Sequence, residues 1–396
     1  MITSPAMTAA IELPLLRFIP FRRRDIVAMC LDEGALTPAQ LDEFKRTAAT
    51  IEAHFQQEFH QIKQALKDAY TTVDPDVDTR RSGVEAVDDD QLAALLEQVL
   101  IRGNYERVTE TELNRAFESA SLFNIRLYVN LEDFDEVLLY TRGVSERSER
   151  INGPLGFFSR TVNFRNFDRV VLFIRFKETI DEQSTLGGCR PGATMLKLFK
   201  DVPEADLEML FPNTRIGMRI RDKLLIGIPA LVSGGVVLST KLGATLLLLG
   251  SLLGFWLGWK QEPVTLDRNS ILALLAGLGA LGGYLWKQFS SFRNRKLRFT
   301  QTLTRNLYFK LLDNNAGVIY RILDDAEESE CKESLLAYYF LLAEGQAMSA
   351  QQLDEKIEHW FADKWQCRLD FEIDDALGKL EKLGLAHKTR DERWQI

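Results

Sequence analysis

Two long apolar runs constrain the fold of this chain more than any other feature. The first extends from Leu224 to Trp259 with Lys241 as its single charge, and the second, Asn269 to Trp286, has no charge. A membrane-spanning helix needs about 20 mostly apolar residues. The sequence therefore predicts a transmembrane helical hairpin over residues 224–289.

Basic residues flank this predicted hairpin on both sides. Four precede the first run, and seven follow the second between Lys287 and Leu312 without any acid among them. The positive-inside rule then places both flanks in the cytoplasm and requires an even number of crossings. We therefore expect two crossings, an inner (plasma) membrane location and cytoplasmic N- and C-termini. The sequence leaves open whether residues 224–240 cross the membrane, dip into it or lie on it.

Small residues recur every four positions in both runs. This spacing lets two helix backbones approach each other closely. We expect the two helices to pack on each other, and the alternative is that the same positions drive a homo-oligomer. The predicted packing positions are Gly250, Gly254, Gly258, Gly279 and Gly283.

The helix expected after the second run mixes basic with aromatic residues. Such a segment beside a bilayer is suited to anionic lipid headgroups. Nucleic acid is the weaker candidate, both because of this position and because the whole chain has a net charge of −8. The residues predicted to contact headgroups are Lys287, Arg293, Arg295, Lys296 and Arg298.

Hydrophobic periodicity organises the rest of the sequence. Apolar residues at three- and four-residue steps predict a long helix from Thr37 to about Tyr70. From about Phe123 the period changes to two, with short connections, which predicts an antiparallel sheet. The predicted fold is thus an α+β membrane protein, made of an N-terminal helical region (1–122), an antiparallel-sheet α+β middle domain (123–222), the transmembrane hairpin (224–289) and a helical, winged-helix-like C-terminal domain (290–396).

The C-terminal order of helix, helix, short strand, helix and hairpin is typical of a winged helix. As a DNA reader it is poorly suited, because its third helix begins with Asp374 and Asp375. From Cys331 onwards there are 13 acidic and 9 basic residues, the wrong sign for a phosphate backbone. We expect this module to bind a protein.

No established catalytic or nucleotide-binding motif occurs in the sequence, so we expect no cofactor, no metal and no enzymatic activity. Six carboxylates crowd between Asp324 and Glu333, without a histidine among them. A solvated helix face explains them better than a metal site. One further set of charged residues could converge in the middle domain, namely Lys197, Lys200, Asp201, Asp206 and Glu208.

Several phrases of the sequence resemble a membrane-protein family of unknown function that includes transmembrane protein 143 of mitochondria. The resemblance implies a membrane protein with a large soluble middle domain and no assigned activity, and it supplies no catalytic residues. The phrases are FIPFRRRDIV (Phe18–Val27), LKLFKDVPEADLEMLFPNT (Leu196–Thr214), NLYFKLLDNNAGV (Asn306–Val318), EESECKESLLAYYFLL (Glu327–Leu342) and DDALGKLEKLGL (Asp374–Leu385).

Three functional hypotheses follow. The leading one is a membrane-anchored interaction or scaffold protein whose cytoplasmic domains bind a protein partner or the bilayer surface. The second is an enzyme at the membrane face, acting on a lipid or another substrate through the segment from Lys197 to Glu208. The third is an oligomeric channel or transport accessory built on Gly250, Gly254 and Gly258.

Overall fold

The computed structural model describes residues 14–76, 89–118, 126–152, 159–179, 191–217, 250–251, 253–258 and 268–396. Its helices are α1 (Arg23–Asp32), α2 (Pro38–Tyr70), α3 (Asp89–Arg102), α4 (Glu110–Glu118), α5 (Arg268–Lys310), α6 (Ala316–Glu344), α7 (Ala350–Trp365) and α8 (Ile373–Lys382). Its strands are β1 (Leu15–Leu16), β2 (Glu106–Arg107), β3 (Arg126–Tyr128), β4 (Phe134–Asn152), β5 (Ser159–Phe176), β6 (Thr194–Pro203), β7 (Arg215–Gly217), β8 (Leu311–Asn314), β9 (Arg368–Leu369), β10 (His387–Lys388) and β11 (Trp394–Gln395).

The chain divides into two compact units. Unit 1 contains residues 1–119, 129–214 and 310–396, and unit 2 contains residues 120–128 and 215–309. Unit 2 is therefore inserted in the sequence of unit 1. Within unit 2, β3 and β7 form an antiparallel pair, and α5 is its longest described helix at 43 residues.

A five-stranded antiparallel sheet forms the middle of unit 1, in the order β2-β4-β5-β6-β8. The predicted α+β fold with an antiparallel sheet is confirmed. The period-two pattern predicted separate short strands, whereas β5 runs unbroken from Ser159 to Phe176 and pairs with β4 along nearly its whole length. Strand β8 lies after the unit 2 insertion and pairs with β6 through Leu198 and Asp313.

Helix α6 is the central helix of unit 1. It contacts α1, α2, α3, α7, α8 and the sheet strands β6 and β8. Its segment from Ser329 to Leu342 is buried at every position, as expected of a helix surrounded by protein. Helix α2 packs along it and begins at a capping box in which Thr37 and Gln40 exchange hydrogen bonds with each other's backbone amides.

Each face of the sheet carries its own apolar layer. Leu138, Tyr140 and Leu196 belong to the large core that includes α2 and α6. On the other side the centroid of the Phe134 ring lies 5.3 Å from that of Phe176 and 6.0 Å from that of Phe211. This second layer is completed by α4 and by a 3-10 helix, Glu204–Leu210, which pack on each other.

The C-terminal elements of unit 1 have the order expected of a winged helix. Helices α6, α7 and α8 are followed by the antiparallel pair β10–β11. Met348, just before α7, forms a bridge to Trp394 in β11 and so adds a third short strand to the wing. Buried Ile373, Ala376, Leu377 and Leu380 attach α8 to the core.

The predicted transmembrane hairpin is contradicted by the structure. Among the residues that the structure describes, no helix is both long enough and apolar enough to cross a membrane. The apolar part of α5 contains four glycines between Gly277 and Gly283, which have no side chain to bury, and the rest of the helix, from Lys287 onwards, carries seven basic residues among apolar ones. Residues 224–249 lie outside the described part of the chain.

Candidate functional site

Ion pairs join α6 to the elements around it, and they are concentrated at the carboxylates for which the sequence predicts a solvated face. That interpretation is wrong for Glu330 and Glu333, which are only 1% and 3% exposed. The signal in the sequence was the apolar stretch directly after them, from Leu335 to Leu342, which indicates a helix buried all round.

Glu330 lies between two cations that come from different helices. Its Oε1 accepts from Nε of Arg102 at 2.7 Å, and its Oε2 pairs with Nζ of Lys379 on α8. Arg102 in turn pairs with Glu58 on α2 at 2.9 Å and stacks over the Phe59 ring. Four helices thus meet at one buried carboxylate.

Lys379 is shared by three carboxylates, those of Glu330, Glu333 and Asp375. Burial opposes its charge, but Glu333 and Glu330 outweigh that effect and raise the pKa of Lys379. For Glu333 the effect of burial is larger than the effect of the neighbouring groups. Burial raises the pKa of Glu333 to about 7, against the opposing effects of Lys379 and Asn104.

A second group of ion pairs connects α6 to the sheet. Asp325 receives the guanidinium of buried Arg142 on β4 at 3.2 Å, and it also pairs with Arg169 on β5. The hydroxyl of Tyr105 donates to the same carboxylate at 2.7 Å. The Arg142 guanidinium is further covered by the ring of Phe18, whose centroid is 4.5 Å away.

Residues 14–22, which we name the N-terminal strap, lie across these two groups of ion pairs. The ammonium of buried Lys332 on α6 donates to the carbonyl oxygens of Ile19 and Phe21 at 3.1 and 3.0 Å. Burial lowers the pKa of Lys332, and Glu328 opposes that effect. Strand β1 lies within the strap and pairs in parallel with β9.

A cleft of about 460 Å³ opens in unit 1 beside Glu330. Its walls come from α2, α3, α6 and α8, and include His54, Glu58, Arg102 and Lys379. Two of the cations on these walls, Arg102 and Lys379, pair with carboxylates of unit 1 itself. In the described ranges, no group of three or more His, Cys, Asp or Glu side chains is arranged to hold a metal ion.

The predicted cluster from Lys197 to Glu208 is spread over different surroundings. Lys197 stands opposite Leu172 and Asn314 in the sheet, Lys200 is exposed opposite Arg169, and Asp201 pairs with Arg147 at 2.9 Å. Asp206 and Glu208 are buried in the 3-10 helix. None of the five residues lines the cleft, and a shared catalytic role for them stays a prediction.

The predicted glycine positions lie in unit 2, where an added Cβ at any of the five would meet no atom within 4 Å. Gly258 has a φ of 76° and ends a helical turn. The membrane packing assigned to these glycines depended on the hairpin and is not retained. Of the predicted headgroup residues, Lys287 and Arg293 are exposed on α5, and the side chains of Arg295, Lys296 and Arg298 lie outside the described part.

Exposed large apolar residues follow one line along α5. Leu275, Trp286, Leu297 and Tyr308 are spaced by 11 residues, which is close to three helical turns. All four are at least half exposed, and Trp286 and Tyr308 reach 72% and 74%. At about 1.5 Å per residue the line is about 50 Å long. Exposed apolar side chains aligned on one helix face mark a candidate interaction surface.

The same helix carries a uniform charge. Between Arg268 and Lys310 there are eight basic residues and no acidic residue. Exposed Lys287 follows Trp286 directly, and the Arg305 guanidinium lies 5.9 Å from the centroid of the Phe309 ring. The surface of α5 is therefore both apolar and cationic.

Residues 167–317 match a family model described as Protein of unknown function (DUF3754). The match begins in β5, includes α5 and ends at the start of α6. It supports the part of the resemblance that concerns a domain of unknown function, and it names neither an activity nor a membrane family. No solved structure matches the chain.

Proposed function

We propose that this chain is an interaction protein that binds the surface of an anionic phospholipid bilayer through α5, without crossing it. The observation that carries the proposal is the line from Leu275 to Tyr308 together with the absence of acidic residues on the helix. The bound helix then holds unit 1 at the bilayer surface.

The chemistry of α5 fits a lipid interface. Tryptophan and tyrosine favour the boundary between hydrocarbon and water, because they combine an apolar ring with a polar group. Each Lys or Arg near an anionic leaflet contributes about 1 kcal/mol of attraction. A straight helix with apolar residues on one line and cations beside them matches an extended flat surface better than it matches a pocket.

Other binding partners and other functions fit the chemistry of α5 less well. A second copy of α5 would bring eight further positive charges against the first eight, and like charges at close range repel. The enzyme hypothesis has little support in unit 1, where the residues of the predicted cluster have separate partners. The channel hypothesis depended on the hairpin that the structure contradicts.

The test is flotation of the full-length protein with phosphatidylcholine vesicles that contain or lack phosphatidylglycerol. We expect binding to the anionic vesicles only, and release as salt is raised, since salt screens exposed charges. A double variant, Arg293→Glu with Arg305→Glu, removes two attractions of about 1 kcal/mol each. It should therefore lower the partition coefficient by at least about 30-fold.

The matched control is Arg368→Glu with Arg390→Glu, two exposed positions of unit 1 that change the net charge by the same amount. This control should bind as the wild type does. Equal binding of the wild type to both kinds of vesicle, or an equal loss in the control pair, would reject the proposal.

A further inference from the structure

Asn104 connects the backbone of the N-terminal strap to the buried carboxylate of Glu333. Its side-chain amide donates to the carbonyl oxygen of Arg17 at 2.6 Å and to Oε1 of Glu333 at 3.0 Å. Asn104 adopts a positive φ of 58°, a conformation that asparagine tolerates better than most residues. The protonation state of Glu333 therefore acts directly on the Asn104 amide, which also holds the strap.

The side chain of Arg17 attaches the strap through exposed ion pairs. Arg17 pairs with Glu106 at 2.9 Å and with Asp370 at 3.2 Å, but all three side chains are about half exposed, so these pairs are worth little in water. A void of about 10 Å³ borders Glu333 beneath Arg17 and Ile19. On this side the strap covers Glu333 together with residues 369–372.

Glu333 is held in a setting where its charge is costly. Its nearest cation, Lys379, lies 3.6 Å away and is shared with Glu330 and Asp375. The ionisable groups that face Glu333 from the surrounding elements are Arg17 on the strap, Arg102 on α3, Glu330 and Lys332 on α6, Asp370 and Glu372 before α8, and Lys379 on α8.

We propose that the strap and Glu333 form a proton-dependent latch, in which loss of the Glu333 proton favours lifting of the strap from β9 and α6. With the strap in place, a neutral Glu333 stays buried without an uncompensated charge. With the strap lifted, water reaches the carboxylate and stabilises its ionised form. Lifting also uncovers the edge of β9, so it would free a strand edge that can pair with another chain.

The sign of the dependence follows from proton linkage. Burial raises the pKa of Glu333 to about 7 with the strap in place, and exposure returns it towards the ordinary glutamate value of 4.5. Between these values, lifting the strap releases a proton, so the opening equilibrium constant rises by up to about tenfold per pH unit. Above pH 7 both states are ionised and the dependence disappears.

The test is amide hydrogen exchange of strap residues in the full-length protein from pH 5 to pH 8, expressed as protection factors after division by the intrinsic rate. In the wild type, protection of the strap should fall with rising pH up to about pH 7 and then level off. In Glu333→Gln it should be independent of pH. Buried α2 amides, such as that of Phe55, serve as the internal reference for global unfolding.

Glu328→Gln is the matched control. Glu328 accepts a hydrogen bond from the backbone amide of Arg23 at 3.2 Å and pairs with Lys332, so its loss should weaken the strap at every pH without changing the slope. A flat wild-type profile, a slope that persists in Glu333→Gln, or an identical slope in α2 amides would each overturn the proposal. The first and third outcomes need no variant, so they decide the matter even if Glu333→Gln does not fold.

Discussion

The guanidinium of Arg142 on β4 lies 3.2 Å from the carboxylate of Asp325 on α6, and the two side chains are only 7% and 13% exposed. This pair fastens the central helix to the sheet. Removing one partner of a buried ion pair leaves the other charge without compensation, which costs about 3–5 kcal/mol. Asp325→Ala should therefore lower the free energy of unfolding by about that amount, measured by urea denaturation.

A pair near the surface provides the comparison for that prediction. Arg321 and Asp313 lie 3.0 Å apart but are 43% and 30% exposed, so Asp313→Ala should cost no more than about 1 kcal/mol. Equal losses in the two variants would contradict the view that burial of the Arg142–Asp325 pair sets its importance.

Leu336 tests the packing of α6. Its side chain is fully buried in the main core, and truncation of a buried leucine to alanine costs about 2–5 kcal/mol through lost contacts and the cavity left behind. Leu336→Ala should show this loss in urea denaturation. Ile101 is 58% exposed, and Ile101→Ala should change the free energy of unfolding by less than about 1 kcal/mol. Comparable losses would mean that α6 is not the centre of the core.

Ser349 tests the start of α7. Its hydroxyl accepts from the backbone amide of Gln352, whose side chain accepts from the Ser349 amide in return. Ser349→Ala removes the cap and should cost about 1 kcal/mol, whereas Ser349→Gly should cost only a few tenths, because glycine is tolerated at this position. A larger loss of stability for Ser349→Gly than for Ser349→Ala would show that the hydroxyl cap does not determine the stability of this helix start.

The carboxyl group of Asp354 should make the stability of the C-terminal module depend on pH. Burial, followed by the nearby carboxylates of Glu358 and Asp370, raises the pKa of Asp354 to about 6. The native state therefore holds this proton more tightly than the unfolded state does, and stability falls as pH rises from about 4 to 6. Asp354→Asn should be more stable than the wild type at pH 7 and not at pH 4.

The difference at pH 7 should be on the order of 1 kcal/mol, since the carboxylate is only partly buried and water screens it. It can be measured by urea denaturation at both pH values. Asp363→Asn, an exposed position of the same helix, should show no such difference. If both variants gain equally at pH 7, a general reduction of negative charge explains the result instead.

Local patterns allowed much of unit 1 to be predicted from the sequence. The helix beginning at Thr37 was recognisable because the capping residue, the proline after it and the apolar spacing agree with one another. The antiparallel sheet was recognisable because alternation and short connections leave few other solutions. These signals depend on residues that are close together in the sequence.

The charge network of α6 could not be predicted in the same way. Glu330 is neutralised by Arg102 and Lys379, which are separated from it by many residues, and no local pattern shows which cation meets which acid. Without these partners, six crowded carboxylates resemble a solvated face. The transmembrane prediction was wrong, since no helix among the described residues is long and apolar enough to cross a membrane.

The position of unit 2 in the sequence has a consequence for biosynthesis. Helices α2 and α3 pack on α6, but a ribosome makes them long before α6, which follows the inserted residues 215–309. The apolar faces of α2 and α3 therefore have no native partner while the insertion is being translated. Nascent chains of this protein should need protection from aggregation until Leu342 has emerged, because incompletely synthesised domains expose apolar surface.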